Sequence, residues 1–582
     1  MHKSRKTLFC LIFTLVAATV VYLVAHWSAL TSPYVINDDV RQQIYWMQSW
    51  TDPELFRDDP LSRYARYYVP WGVQAVYAIG SQVMNPVQLT KVVTAVLFVV
   101  TAGFLFGLGR LFKDDLTGVL TVCVFFLFGT FLDRMAGGLS RGFVYPLMAG
   151  YAYFLGRDNI THAGIVLLLL SLFNPYAFLV CLATHVIFIA HGYANTLLAR
   201  PAAQPSTPSG TREAGHPGCL HVSANTPCAT RPETAGRLKT GLPVSLSTLA
   251  AAAPVVLGVA LVALKYAVFT STEFGDVVTL SDMSGRIEYT DSGRYGIIPV
   301  PSIWYDLVVS PWIPELVYSS WEVPIGVLIF VSTLAAAVWA LRQDTRVVDL
   351  TGFRVFFYLL TASVLLYAAA RVMLMKMFLP SRYLEFSIGV FYCVLIAVCM
   401  RIAIERFSLG RTAIALIAAG MVAGGAVRLH NVGLWDYSDG ADLYRFMRST
   451  PKTALIAGHP AVMDNITTFG TRKAFVTYEM SHTWYKRYWN DIRSKTFDFF
   501  RAYYSEDPDL VREFSRKYGI DYLVVREEDF EPQVTQGKSV YFEPFGSYIE
   551  DLVKGRSNFA VLDAKEFPPV FRDNRIRIFQ VR

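Results

Sequence analysis

Two adjacent carboxylates, Asp38 and Asp39, stand shortly beyond the first long apolar run, in the segment SPYVINDDVRQQIYWMQSW. A carboxylate so placed either accepts a proton from an attacking hydroxyl or caps the helix that follows it, and the pair alone leaves both uses open. Behind it Val40, Ile44 and Met47 recur at helical spacing. Trp46 and Trp50 suit a helix lying at a bilayer interface. The chain continues TDPELFRDDPLSRYARYYVPWG, so residues 26–89 hold six carboxylates beside four arginines. Displacing a phosphate leaving group uses both signs, a carboxylate for the proton and cations or a metal for the departing charge.

Candidate cations for that second task lie in two later segments. GGLSRGFVYP contains Ser140 and Arg141, and RVMLMKMFLPSRYLEF contains Arg371, Lys376 and Arg382 with no acid before Glu385. Arginine binds phosphate bidentately, while long cationic side chains near a span also serve as interfacial anchors. Lys265 is a weaker member of the same group. Further on, VTYEMSHTWYKRYWNDIR sets Glu479, His482 and Asp491 among Trp484, Tyr485, Tyr488 and Trp489. Such aromatic faces suit stacking on a sugar or packing at an interface.

The elements that must position these residues are mostly membrane spans. With 53% hydrophobic and 17% charged residues and a mean hydropathy of +0.35, the chain carries too much apolar surface for an ordinary soluble fold. Runs near twenty residues, the length that crosses a bilayer, occupy 8–25, 90–108, 116–132, 245–264, 323–341, 352–370, 384–400 and 413–427. The stretch 163–190 is too long for one span and is broken at Asn174 and Pro175, and 143–155 is short. Two readings give eleven crossings: 67–84 crosses and 163–190 is one kinked helix, or 67–84 lies at the surface and 163–190 forms two short helices, and the basic-loop bias favours the second. That arrangement puts Arg110 and Lys113 with the basic N-terminus on the inside.

Two parts of the chain are not spans. Residues 200–241, rich in Pro, Ser, Thr, Gly and Ala, lack a hydrophobic period and are expected to form a disordered cytoplasmic loop. Residues 428–582 have globular composition, with strand-like runs TALIAG, KAFVTYE, DYLVVRE and RIRIFQV and helical patterning at 496–504 and 509–518. An α/β domain outside the membrane is expected. Residues 271–321 are expected to be an outer loop that covers substrate or packs on that domain. The net charge of +7 is spread over short loops between apolar runs, which speaks for membrane orientation and against nucleic acid. Seven scattered cysteines, only Cys219 and Cys228 of them in a polar stretch, make no disulfide framework or zinc spacing. No GxxxxGK[ST], HExxH or GxSxG occurs.

An Asp-Asp pair after the first span, followed by amphipathic segments and the helix entry YYVPWG, resembles the GT-C superfamily of membrane glycosyltransferases. The resemblance spans most of the chain. It implies an α-helical polytopic module over 1–427 with a C-terminal α/β domain over 428–582, in a bacterial plasma membrane with the N-terminus cytoplasmic. It further implies an inverting transfer from a polyprenyl-phosphate-linked sugar to a glycan, lipid or protein acceptor at the outer face. By position Asp38 would be the base and Asp39 its assistant, with Arg141, Arg371, Lys376 and Arg382 on the lipid phosphate. The family's Ser-Arg sequence is often followed by an acid, and none occurs between Arg141 and Leu155. No cofactor is therefore assigned, and a divalent metal is left open. A flippase for lipid-linked glycan, or a glycan-binding scaffold of the same fold, is the alternative. The near absence of ionisable residues within the spans speaks against a conduit.

Overall fold

The computed structural model describes residues 2–198, 246–268, 272–298, 302–312, 322–343, 352–531, 541–573 and 575–582. The expected loop 200–241 lies outside the described residues, as does part of 271–321. Among the described residues, seven helices are long and apolar enough to cross a membrane, and a bent pair would make an eighth. They include His2–Ala25, Pro86–Arg110, Pro175–Leu198, Glu322–Leu341, Phe353–Val372, Glu385–Arg406 and Arg411–Arg428. The bent pair, Asp115–Leu127 and Gly129–Met135, turns by 72° where Phe128 goes extended. The chain is thus a multi-pass membrane protein.

The remaining three of the eleven expected crossings fall on the helices Val144–Gly156, Ile160–Phe173 and Leu246–Ala263. The first two have 13 and 14 residues. At about 1.5 Å per residue they rise roughly 20 Å, short of the ~30 Å hydrocarbon layer. The break at Asn174 and Pro175 is as expected. Asn174 accepts from the Ala177 amide at 3.1 Å, and the proline takes a first-turn position that needs no amide donor. The second helix of the pair is nevertheless a full span and not a short one. Within 67–84 the helix Pro60–Tyr68 ends and the short helix Trp71–Gly80 forms.

Leu8, Phe13, Val96, Ile165, Leu328, Leu365 and Leu416 are exposed around the bundle, as a lipid-facing belt requires. Ion pairs gather at one end: Arg110 with Asp115 at 2.7 Å, Arg401 with Asp114 at 2.9 Å and Arg354 with Asp158 at 2.6 Å. The carboxylate pair and the rest of the candidate site lie at the opposite end.

Residues 35–36 form strand β1 (Val35–Ile36), which pairs antiparallel with β2 (Trp435–Asp436) after the last span. Beyond it β3 (Leu455–Gly458), β4 (Lys473–Ala474), β5 (Tyr522–Arg526), β6 (Pro569–Arg572) and β7 (Ile576–Gln580) build a mixed sheet of order β4-β3-β5-β7-β6. The β3 strand runs parallel to β4 and β5, and β7 runs antiparallel to β5 and β6. The helices Lys486–Tyr503 and Pro508–Tyr518 join the halves. The expected strand KAFVTYE is only two residues long, because after Phe475 the chain turns back through Thr477 to Ser481.

A further expectation is overturned. Val40–Gln43 is a single helical turn followed by the 3-10 segment Tyr45–Trp50, and Val40, Ile44, Trp46 and Met47 are fully buried. This is no interfacial helix, because the module after residue 428 covers it, with Gln48 donating to the Thr468 carbonyl at 3.1 Å.

Close helix approach depends on glycine at one position in particular. A Cβ on Gly425 would stand 2.6 Å from the Phe126 Cβ, whereas one on Gly420 would meet nothing within 4 Å. Gly425→Val should therefore cost about 1–3 kcal/mol of stability, read as a lower thermal midpoint in detergent. Gly420→Ala should leave the midpoint unchanged.

Candidate functional site

A cavity of about 980 Å3 opens where the helical bundle meets the α/β module. Asp38, Asp39, Arg141, Lys265, Arg294, Lys376, Arg382 and Glu479 all line it. The sequence scatters these residues over some 440 positions, and the fold brings them to one chamber.

The turn Asn37-Asp38-Asp39 sets the acidic side. Asn37, buried, accepts from the Asp39 amide at 3.2 Å and donates to the Gly433 carbonyl at 2.8 Å. The asparagine thus supplies the local turn bonds. Asp39 occupies the N-cap position of Val40–Gln43, but its side chain makes no cap bond. It pairs instead with Arg141 and accepts from Gln42 at 2.5 Å. Asp38 pairs with Arg41 and accepts from the Tyr437 hydroxyl at 2.7 Å. Neither carboxylate is spent on capping. Burial pushes the Asp38 carboxyl up, but the Arg41 charge and the Tyr437 and Arg41 hydrogen bonds outweigh it and hold it below its ordinary range.

The other carboxylates of the first loop serve the fold. Asp59 caps Pro60–Tyr68 through the Ser62 amide at 3.0 Å, and Asp52 and Glu54 both bind Lys452, at 2.7 and 2.9 Å. Asp58 faces Arg57, Arg63 pairs with Glu273 at 3.1 Å, and Arg66 covers the Trp46 ring.

Glu479 reaches the site from the α/β module. It lies 3.2 Å from Arg294 and 3.6 Å from Arg41, and it accepts from Gln42 at 3.2 Å. Behind it Asp464 accepts from the Tyr478 and Glu479 amides at 3.2 and 3.1 Å. Burial raises the Asp464 carboxyl to about 6 and pushes Glu479 well above its ordinary range. His482, stacked on Trp484 at 4.0 Å, contacts Gln42 at 2.9 Å, and burial keeps it neutral.

Lys376, Arg382 and Lys265 bring positive charge to the same chamber. Lys376 has no carboxylate partner among the described residues, and Arg382 leans on Glu385 at 3.1 Å while Glu385 also pairs with Arg134. Lys265 donates to the Tyr67 carbonyl at 2.8 Å. Arg371 is exposed, contacts the Tyr367 hydroxyl at 3.3 Å and does not line the cavity, so it is set apart from the other three expected cations. The helix Phe353–Val372 carries it past the chamber's rim. Asp491, bound to Lys495 at 2.7 Å, also lies elsewhere. Among the described residues no three His, Cys, Asp or Glu side chains are grouped to hold a metal ion.

Residues 272–298 pack on the α/β module, the second of the two expected uses. The Val278 amide donates to the Trp484 carbonyl at 2.9 Å and the Tyr289 hydroxyl to the Thr483 carbonyl at 2.9 Å. This anchoring delivers Arg294 and Tyr295. Sequence reasoning missed Arg41, Arg294, Tyr437 and Asp464. Arg41 carries a readable sign, one helical turn from Asp38, whereas the others act only across the tertiary fold.

No protein-family description and no curated protein matches the sequence. Among solved structures, ArnT from Cupriavidus metallidurans bound to undecaprenyl phosphate is similar over 98% of this chain and 98% of that one, at 11% identity and a TM-score of 0.50. The Archaeoglobus fulgidus oligosaccharyltransferase in its apo form matches over 91% of this chain and 70% of its own, at 11% identity and a TM-score of 0.46. The fold is ArnT-like, with a small sheet-containing module at the C-terminal end. The helical module followed by an α/β module is the architecture the sequence suggests.

Removing Arg41 would strand buried carboxyls, so Arg41→Leu should cost about 3–5 kcal/mol. Arg63→Leu, which breaks a half-exposed pair, should cost under about 1 kcal/mol. Thermal unfolding of both variants in one detergent checks the contrast.

Proposed function

We propose that this protein is a GT-C-type glycosyltransferase of a bacterial plasma membrane that moves a sugar from a polyprenyl-phosphate donor to an acceptor hydroxyl. The observation that carries the reading is one large chamber lined both by a partly open carboxylate, Asp38, that is held below its ordinary range and by Lys376, Arg382 and Lys265. Likeness of fold to a protein crystallised with undecaprenyl phosphate supports a lipid-linked donor. The donor would enter from the bilayer at the bundle end. The acceptor, a glycan, lipid or protein, would approach from the side of the α/β module. With the basic N-terminus inside, this end and the α/β module face out.

In the reaction the acceptor oxygen attacks the anomeric carbon from the face opposite the phosphate, and the bond from that carbon to the phosphate oxygen breaks with inversion. Asp38 takes the hydroxyl proton. Lys376 and Arg382 receive the charge that develops on the leaving phosphate. Arg141 borders the chamber but is tied to Asp39, so Asp39 assists by fixing Arg141 while Arg141 completes the phosphate site. A divalent metal does not suit this donor set. Asp39 and Asp38 are each already matched by a guanidinium, and no step needs a metal here.

The experiment uses purified protein in nanodiscs with a panel of polyprenyl-phosphate sugars. Asparagine is nearly isosteric with aspartate but cannot accept the proton, so Asp38→Asn should bind donor normally and transfer about 100- to 10,000-fold more slowly. Lys376→Ala and Arg382→Ala should weaken donor binding. Full turnover by Asp38→Asn would overturn the assignment, and silence of the wild-type protein across the panel would favour the flippase or the scaffold.

A further inference from the structure

The oxygens of the carboxylate pair are not equivalent. On Asp39 both are engaged, Oδ1 by the Gln42 side-chain amide and Oδ2 by Arg141. On Asp38 the two donors fall on a single atom, since the Arg41 guanidinium and the Tyr437 hydroxyl both meet Oδ1. Its Oδ2 takes no hydrogen bond from the described residues and stays accessible. The Asp38 side chain is 37% exposed, against 21% for Asp39 and 7% for Glu479. One oxygen of the pair is thus left to take a proton from the chamber.

The two groups on Oδ1 stand behind the chamber, because neither Arg41 nor Tyr437 lines it. Tyr437 is itself fixed from three directions. Its amide donates to the Tyr34 carbonyl at 3.1 Å, its carbonyl accepts from the Tyr444 hydroxyl at 3.1 Å, and its ring lies 4.4 Å under Arg41. From that place the hydroxyl meets Asp38 at 2.7 Å, the length expected of a hydroxyl donating to a charged oxygen. A carboxylate gripped at one oxygen by two donors cannot turn about its last bond without losing both.

On the reading of Asp38 as the base, we infer that Tyr437 is a positioning residue, which together with Arg41 locks Oδ1 and presents Oδ2 to the acceptor as the proton-accepting atom. In the step itself the hydroxyl proton passes to Oδ2 while the hydroxyl oxygen bonds the anomeric carbon, and the phosphate leaves with the electron pair of the bond that breaks. The tyrosine hydroxyl has a second effect. A donor on the ionised carboxylate favours that form, so Tyr437 keeps Asp38 charged to lower pH. The other charged groups around Asp38 are Arg41 and Asp39 from its own turn, Arg141 from the bundle, Arg294 from 272–298, and Asp464 and Glu479 from the α/β module. Loss of the hydroxyl alone leaves all of these in place, so its effect on titration is read against an unchanged background.

The test uses full-length protein in nanodiscs. Tyr437→Phe removes the hydroxyl but keeps the ring under Arg41. In transfer assays it should lower kcat by about 10- to 100-fold with the KM for donor little changed, and the acid limb of the rate profile should move to higher pH. A fluorinated tyrosine at the same position, a stronger donor of nearly the same shape, should move that limb to lower pH. Infrared titration of protein carrying 13C-labelled aspartate, with the Asp38→Asn spectrum subtracted, should show the same two displacements without turnover. Displacement in neither variant, or a Tyr437→Phe loss confined to the thermal midpoint and KM, overturns the inference. Wild-type protein inactive on every donor would sink the functional reading alone, because the infrared titration still reads the bond to Oδ1.

Discussion

The structure of the site depends on one buried guanidinium. Arg41 is 7% exposed, and its positive charge has left water for a place where only matched partners can make it tolerable. Those partners come from both halves of the chain. Asp38 lies on its own turn, while Asn465 accepts from it at 3.0 Å, Glu479 lies at 3.6 Å, and the Tyr437 ring sits under it at 4.4 Å. Neither half could bury Arg41 alone. The charge therefore acts as a latch between the bundle and the α/β module, and the chamber exists only where the two are closed on each other.

The backbone pairing at this junction is slight. β1 and β2 have two residues each, too short for independent stability. Aromatic packing reinforces them, with Tyr34, Tyr444 and Phe469 in mutual contact at ring distances of 5.0–5.6 Å. The pairing matters for what it carries, since Tyr437 follows β2 directly and its hydroxyl reaches Asp38. A short strand pair thus converts the end of the last span into a ligand for the first-loop carboxylate.

Much of this was legible in the sequence. Apolar length and the break at Asn174-Pro175 gave the bundle, and alternating runs gave β3, β5 and β7, because those signals are local. The carboxylate pair and three of the four expected cations meet in one chamber. What stayed hidden is what has no local signature. Arg294 and Asp464 look like ordinary loop and helix charges until the fold sets them against Glu479 and Arg41. Trp46 looked like an interfacial anchor because nothing in its neighbours announces that a distant module will cover it.

The tripeptide Asn37-Asp38-Asp39 shows how a short segment can serve structure and chemistry together. Side chains that favour turns usually spend their oxygens on the turn itself. Here Asn37 does that work, accepting the Asp39 amide and holding the Gly433 carbonyl, and an amide is well suited because it offers donor and acceptor at once. The two aspartates are thereby released from capping the backbone. Asp39 turns toward Arg141 and Asp38 toward Arg41 and Tyr437, so each meets a group far away in the chain or one turn along it. An aspartate committed to its own helix would have its charge absorbed by amide donors. Freed of that duty, Asp38 keeps a face toward the chamber, and its charge is set by partners that exist only once both modules are in place.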